Sequence, residues 1–365
     1  MKIPLLGLVA LTGLMLPTWA DSTVSSPPMG GVTLVLQGRT DNLLSIPLLQ
    51  EPVAIGRVLA LTADTVTLDT QGLTENQFAP AANQSYYAEI STGNLKGLSY
   101  PVVNNGTATF TLDTGTDNLT QHPLGTLAVG TTVRIRPAWN VAGIFGASGA
   151  GLALTPFSVL PSAMLANSGD SLLFFEPGTV GIQKVPSTQL VFVQSDTWRS
   201  TADGSVDRSG EPLLPLEPVL ARRHSSSAKE ILVLGQAWQS PTLVTLAGGD
   251  GTKANDAFVA LAKSEPVSLN DTGLVNADPA LSAVKASPSG THREDVLLAM
   301  EPTGKGFERS PEHTYYYLDG EGWREVGSTS TTVGTDVQLD PAYVYVLRKR
   351  ADSATRYWLQ NGVSP

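Results

Sequence analysis

Apolar and polar residues alternate in short runs along most of this chain, and that period of two predicts β-strands rather than helices. VTLVL (32–36) is one such run, and residues 53–61 and TVTLDT (65–70) are two more, joined by a turn at 62–64. SYYAEIS (85–91) alternates and is followed by a turn at Gly93-Asn94. LSYPVV (98–103) meets TATFTLD (107–113) across Asn104-Asn105-Gly106, and Asn-Gly between alternating runs is a strong hairpin signal. TTVRIRPAW (131–139) completes the set. Strands of this length and spacing predict a small barrel or sandwich over residues 32–145.

The C-terminal half states one pattern twice. Asp170, Leu172, Leu173, Glu176, Pro177, Gly181, Pro186, Trp198 and Arg199 recur as Asp295, Leu297, Leu298, Glu301, Pro302, Gly306, Pro311, Trp323 and Arg324, all at one offset. A fixed offset over nine identities predicts two copies of one β unit, residues 169–245 and 294–365, separated by a segment at 246–293. After an apolar run, Arg222-Arg223 answers Lys349-Arg350 with a slip of two positions. A weaker echo links the two halves: Asp256 with Glu265-Pro266-Val267 resembles Asp41 with Glu51-Pro52-Val53. It suggests a larger module, each copy opened by an Asp-led strand. The expected fold class is therefore all-β: a barrel or sandwich, then two duplicated β units.

The N-terminus changes the picture from fold to compartment. Lys2, the apolar run 5–16, Pro17 and the small residues Thr18 and Ala20 have the order of a signal peptide over 1–20, with cleavage expected before Asp21. Residues 21–31 read as a flexible Ser/Pro/Gly leader. The Gly/Ala-rich stretch 141–165 is the other apolar run. Pro156 and Pro161 interrupt it, and its unbroken part falls short of the ~20 apolar residues a spanning helix needs. It is expected to be a connector, residues 146–168, and no membrane span is expected after signal cleavage.

Composition narrows the chemistry. Cysteine is absent, so disulfides, thiolate metal sites and cysteine nucleophiles are excluded. Net charge is −10, which disfavours nucleic acid and anionic membrane surfaces as partners. The four histidines are scattered without metal-ligand spacing, and no cofactor is expected. Gly146-Ala147-Ser148-Gly149-Ala150 is not a serine elbow, and no Gly-Lys-Ser/Thr phosphate loop follows Gly248-Gly249. Glu176 and Glu301 invite comparison with the carboxylate pairs of glycosidases, but a strand end before proline explains both positions. The Asp203–Glu211 loop alternates oxygen ligands as calcium loops do, yet lacks the central glycine and reads better as a solvated hairpin loop. The basic ends Arg222-Arg223-His224 and Arg348-Lys349-Arg350 read as solvated strand ends.

The candidate ligand residues are Trp198, Arg199, Trp323 and Arg324, an aromatic face beside a guanidinium in each copy. The competing reading puts each tryptophan in a core, since both copies keep what the unit needs to pack. No catalytic residue is assigned.

The order Asp41…Leu44-Ser45-Ile46-Pro47, Tyr86-Tyr87…Gly93, Gly97…Tyr100-Pro101, Thr111-Leu112-Asp113 and Arg134…Trp139 resembles a family of exported bacterial proteins with no assigned function. Tyr315-Tyr316-Tyr317, Gly322-Trp323-Arg324 and the closing basic strand are similar to its C-terminal half. The resemblance covers most of residues 35–360 and implies export and repeated β units. It carries no catalytic residues over, and the insertion at 146–166 departs from its pattern. The expectation is a non-enzymatic exported protein of the surface, envelope or matrix, located in the periplasm, at the cell surface or outside the cell. It would act by binding or assembly, with itself or an extracellular polysaccharide as partner. A carbohydrate-binding module is the alternative, and a hydrolase the third.

Overall fold

The computed structural model describes residues 28–81, 84–146, 169–176, 179–193, 197–328 and 332–361. The expected signal peptide, most of the leader, nearly all of the connector and Pro177 lie outside these residues. Strands dominate, so the all-β expectation holds.

Strands β1 (Met29–Leu36) and β2 (Thr40–Leu44) come first. Six strands then close a barrel: β3 (Ala54–Leu61), β4 (Thr65–Leu68), β5 (Tyr86–Ile90), β6 (Ser99–Asn105), β7 (Thr109–Leu112) and β8 (Thr132–Pro137), in the order β3-β4-β7-β6-β5-β8. Closure removes the unpaired edges that an open sheet of this size would expose. Period-two alternation turns Val58, Val66, Val102, Phe110, Val133 and Ile135 inward, where they form one core. The hairpin between β6 and β7 turns slightly later than expected, since β6 runs through Asn105 and Gly106 N–H bonds Thr109 O at 2.7 Å.

Beyond the barrel come β9 (Trp139–Asn140), helix α1 (Val141–Phe145), β10 (Ser171–Phe174), β11 (Thr188–Val193), β12 (Thr197–Ser200), β13 (Pro212–Leu213), β14 (Val219–Arg223) and β15 (Lys229–Gln236). The last part holds β16 (Thr242–Leu246), β17 (Asn255–Ala260), β18 (Val267–Ser268), a 3-10 turn (Leu269–Thr272), β19 (Val296–Ala299), β20 (His313–Leu318), β21 (Gly322–Glu325), β22 (Gln338–Leu339), β23 (Val344–Lys349) and β24 (Arg356–Gln360).

Two antiparallel five-stranded sheets result, with the same strand order: β2-β14-β10-β11-β12 and β17-β23-β19-β20-β21. Their registers correspond. Leu172 faces Leu190 as Leu297 faces Tyr315, and Phe192 faces Trp198 as Tyr317 faces Trp323. The two-stranded ribbons β1·β15 and β16·β24 flank the two sheets in corresponding places in the chain, as do the short pairs β9·β13 and β18·β22.

This topology moves the expected boundaries. The first two strands of the 32–145 unit do not belong to the barrel: β2 hydrogen-bonds β14, and Val32, Leu34 and Leu44 share a core with Leu172, Phe192 and Trp198. The barrel proper, 54–137, is an insertion between β2 and β9. Residues 169–245 therefore lack two of their own strands and end on β16, which pairs with β24 of the last unit. The segment 246–293 is not a spacer, because its β17 is the edge strand of the second sheet. Chain order misled here because β-pairing is set by side-chain burial and register, not by proximity in sequence.

The basic strand ends are also corrected. Register pairs Arg222 with Asp41 and Arg348 with Asp256, so Arg222 corresponds to Arg348 and Arg223 to Lys349, a slip of one rather than two. Arg223 and Lys349 are fully buried, not solvated. Arg223 bonds Asp170 at 3.2 Å, and Lys349 lies 3.4 Å from Asp295. The aspartate that opens each repeated pattern is thus the counter-ion of a buried cation, and each cation needs that partner to leave water.

The two sheets grip one another reciprocally. From the second unit, Gly306 O accepts from Asp41 N–H at 3.1 Å, and Glu308 N–H donates to Asp41 Oδ2 at 2.9 Å. From the first unit, Gly181 O accepts from Asp256 N–H at 3.0 Å, and Gln183 N–H donates to Asp256 Oδ2 at 2.9 Å. Gly181 and Gly306 have φ of 151° and 122°, which explains why glycine stands at both positions.

Candidate functional site

The residues singled out in the sequence do not form a ligand face. Trp198 is fully buried, its ring against Phe145 and Phe192 and its Nε1 donating to Gly146 O at 2.9 Å. Trp323 is buried against Tyr317. An indole with no exposed face cannot stack on a sugar, so the ligand-platform expectation gives way to the core reading. Arg199 turns back on its own hairpin, with Nη1 bonding Gly204 O at 2.6 Å, and Arg324 bonds Glu321. The Asp203–Glu211 segment is a loop of local turns: Asp203 and Asp207 accept from Ser205 and Ser209 two residues on. Glu176 and Glu301 are not brought together as a pair. Glu301 bonds His313 Nε2 at 2.7 Å, while Glu176 stands at the cleft described next. Among the described residues, no group of three acidic or histidine side chains is placed to hold a metal.

The structure instead opens a cleft of about 310 Å³ where the barrel, the first unit and the second unit meet. The barrel rests on ribbon β16·β24, since Leu243 joins the barrel core and Tyr357 and Leu359 pack against it. The contact is tight at Gly97. A Cβ there would stand 2.7 Å from both Leu243 N and Pro241 O, and its φ is 99°, so glycine is required on two grounds. Leu243 N–H bonds Gly97 O at 3.1 Å, which places Thr242 beside the strand that carries Ser99 and Tyr100.

Several polar residues stand among the lining of this cleft. Thr242 and Trp238 are each 3 % exposed, and Thr242 Oγ1, Trp238 Nε1 and Ser99 Oγ find no hydrogen-bond partner in the protein. Trp238 is also the wall to a smaller cleft of about 130 Å³, beside the buried pair Arg136–Glu89 at 2.6 Å. A buried polar group without a partner costs on the order of 1–3 kcal/mol, and these three atoms are closed to the cleft as well as to bulk solvent.

Glu217 enters the cleft from the loop between β13 and β14. Burial pushes its carboxyl up to about 7, against the Leu214 amide that favours the charged form, with Glu211 adding to the rise. Burial lowers the Lys184 ammonium, and Asp256 partly offsets it. Lys184 lies 5.7 Å over the Phe258 ring. Tyr100 donates to Asp117 Oδ2 at 3.0 Å, and burial, with Asp117 beside it, raises the phenol far above its ordinary value. Behind Asp117, His122 Nδ1 accepts from Leu124 N–H, which leaves the proton on Nε2, 3.7 Å from Asp117. Burial lowers this histidine below its usual range, opposed by Asp117.

Sequence reading missed this site because its parts come from three separate regions. One signal was present: Glu217 is the one charged residue in the run Pro212–Ala221, and a lone carboxylate among prolines and leucines marks a group held for more than solubility. Comparison of the chain with protein-family models, with curated proteins and with solved structures finds no match to any of the three.

Proposed function

We propose that this chain is an exported, non-enzymatic binding protein whose two five-stranded units are copies of one module. In this reading the barrel, inserted into the first copy, completes a binding cleft against the second. The observation that carries the reading is the cleft itself, since the barrel (Tyr100), the first unit (Phe175, Glu217) and the second unit (Phe258) all contribute to the lining of one cavity of about 310 Å³. A concave, largely apolar cavity with a few polar groups on its wall is the usual form of a small-molecule site. Export rests on the order of residues 1–20, and duplication on the shared offset and the equal strand orders.

The test is native mass spectrometry of protein recovered from the exported fraction, with N-terminal sequencing of the same sample. The expected result is a chain beginning at Asp21 that carries a small molecule, lost in Thr245→Trp, which puts an indole into the cleft from an exposed lining position. A retained Met1 would refute export. A Thr245→Trp protein that keeps its ligand would refute the cleft. Chemical alteration of the retained molecule on incubation would favour the hydrolase reading.

A further inference from the structure

We propose that His313 is a pH-sensitive clamp on one of the two reciprocal grips between the units, closed while the ring is protonated and loosened when it gives up its proton. The inference goes beyond the binding reading and does not depend on the junction cleft.

The surroundings of the ring set the requirement. Nδ1 lies 2.7 Å from Glu325 Oε1 on β21, and Nε2 lies 2.7 Å from Glu301 Oε1 beyond β19. A neutral imidazole has one donor nitrogen and one acceptor, so only the cation can donate to both carboxylates. Loss of the proton leaves one ring nitrogen as an acceptor facing a carboxylate, and one of the two bonds breaks. On β20 itself, Tyr315 stacks on the ring at 6.0 Å, and burial pushes its phenol up to about 12, so it stays neutral. Glu312, the preceding residue, is engaged by Arg309 Nη2 at 2.6 Å. The bond to Glu325, then that to Glu301, raises the His313 pKa. The clamp is therefore fully closed below pH 6.5 and is lost as pH rises through the raised value.

Glu301 is the root of the loop that grips the first unit. Arg309 lies buried inside that loop, where its Nη2 also bonds Glu301 O at 2.8 Å and packs over Gly304, too close for any Cβ there. The segment 301–312 is thus braced from within and moves as one piece. Its far end carries the contacts to the first unit: Gly306 O and Glu308 N–H on Asp41, and the Phe307 ring against Arg222. What holds Glu301 to β20 and β21 therefore holds the grip. Strand β2, which Asp41 belongs to, leads into the barrel, so the state of the clamp reaches the strand that carries the insertion.

The first unit supplies an internal control. Gly181 and Gln183 grip Asp256 as Gly306 and Glu308 grip Asp41, and Gln183 and Glu308 share a φ of 53°. At the repeat offset, Thr188 and Ser200 stand where the second unit has His313 and Glu325. That grip has the same backbone geometry without a histidine at its root.

Hydrogen exchange of the full chain from about pH 5.5 to about 8.5 tests this, with each amide's protection corrected for its intrinsic rate. Across that range the Glu308 and Asp41 amides should lose about fivefold in protection relative to Gln183 and Asp256, the size an exposed ion pair supplies. His313→Thr, which copies the first unit, should hold the Glu308 and Asp41 amides at the parent's high-pH level throughout. Glu325→Gln should move the transition to lower pH. Protection of the two grips that changes in parallel with pH would overturn the clamp. So would a pH dependence that survives His313→Thr, because it would belong to another group, His224 against Phe307 being the titratable neighbour of the gripping loop.

Discussion

Asp41→Asn should destabilise the whole chain, although Asp41 lies on an edge strand. Its carboxylate accepts from Arg222 Nε and Nη2, both at 2.8 Å, and from Glu308 N–H at 2.9 Å. The residue is 7 % exposed, so water cannot replace these partners. Asparagine keeps the shape but loses the charge, and can present only one acceptor oxygen to three donors. Breaking one side of a buried pair costs about 3–5 kcal/mol. Arg222 retains contact with the Phe307 ring at 5.5 Å and some access to solvent, which sets the expectation at the lower end, about 3 kcal/mol. At ~2 °C per kcal/mol for a chain of this size, the melting temperature should fall by about 6 °C.

Denaturant melts followed by tryptophan fluorescence measure the loss, and a double-mutant cycle with Arg222→Met isolates the pair. The double variant should be scarcely less stable than either single one. Hydrogen exchange adds a local readout. The Glu308 amide should exchange faster in Asp41→Asn, whereas the Gln183 amide, bound to Asp256, should not. A melting temperature within 1 °C of the parent, or single losses that simply add, would refute this account of the grip between the units.

Trp198→Ala and Trp323→Ala should each cost about 3–5 kcal/mol, as buried aromatic truncations do, and unchanged melts for both would return the indoles to the surface. Glu217 holds its proton up to about pH 7 when folded and releases it near 4.5 when unfolded, so the parent should lose stability as pH rises from 4.5 to 7. The loss is at most about 3 kcal/mol; Glu217→Gln should abolish that slope in urea melts at pH 5 and 8, and an unchanged slope would place the carboxyl in water. His313 bonds Glu325 and Glu301, each at 2.7 Å, and both bonds raise its pKa. The stability it contributes is therefore full below pH 6.5 and lost as pH climbs through the raised value; an NMR titration of His313 should show a midpoint above 6.5 that falls in Glu325→Gln.

The sequence alone determined the class of structure and much of its inventory. Alternation named most of the barrel strands, since one face of each had to be buried. The common offset located equivalent strands in the two units, because each keeps the residues its packing requires: Trp198 and Trp323 for the cores, Asp170 and Asp295 for the buried cations, Gly181 and Gly306 for their backbone angles. Even the weak Asp41–Asp256 echo marked corresponding edge strands. Only the tertiary structure decided which strands belong together. Nothing in β2 itself says that its hydrogen-bonding partner is β14, some 180 residues on, because backbone groups are alike in every strand and burial selects among them. The cleft was beyond reach for the same reason. Ser99, Glu217, Trp238 and Thr242 are ordinary residues in their own segments. They line one cavity only where the barrel, inserted into one unit, comes to rest against the other, and that contact is set by burial rather than by any local pattern.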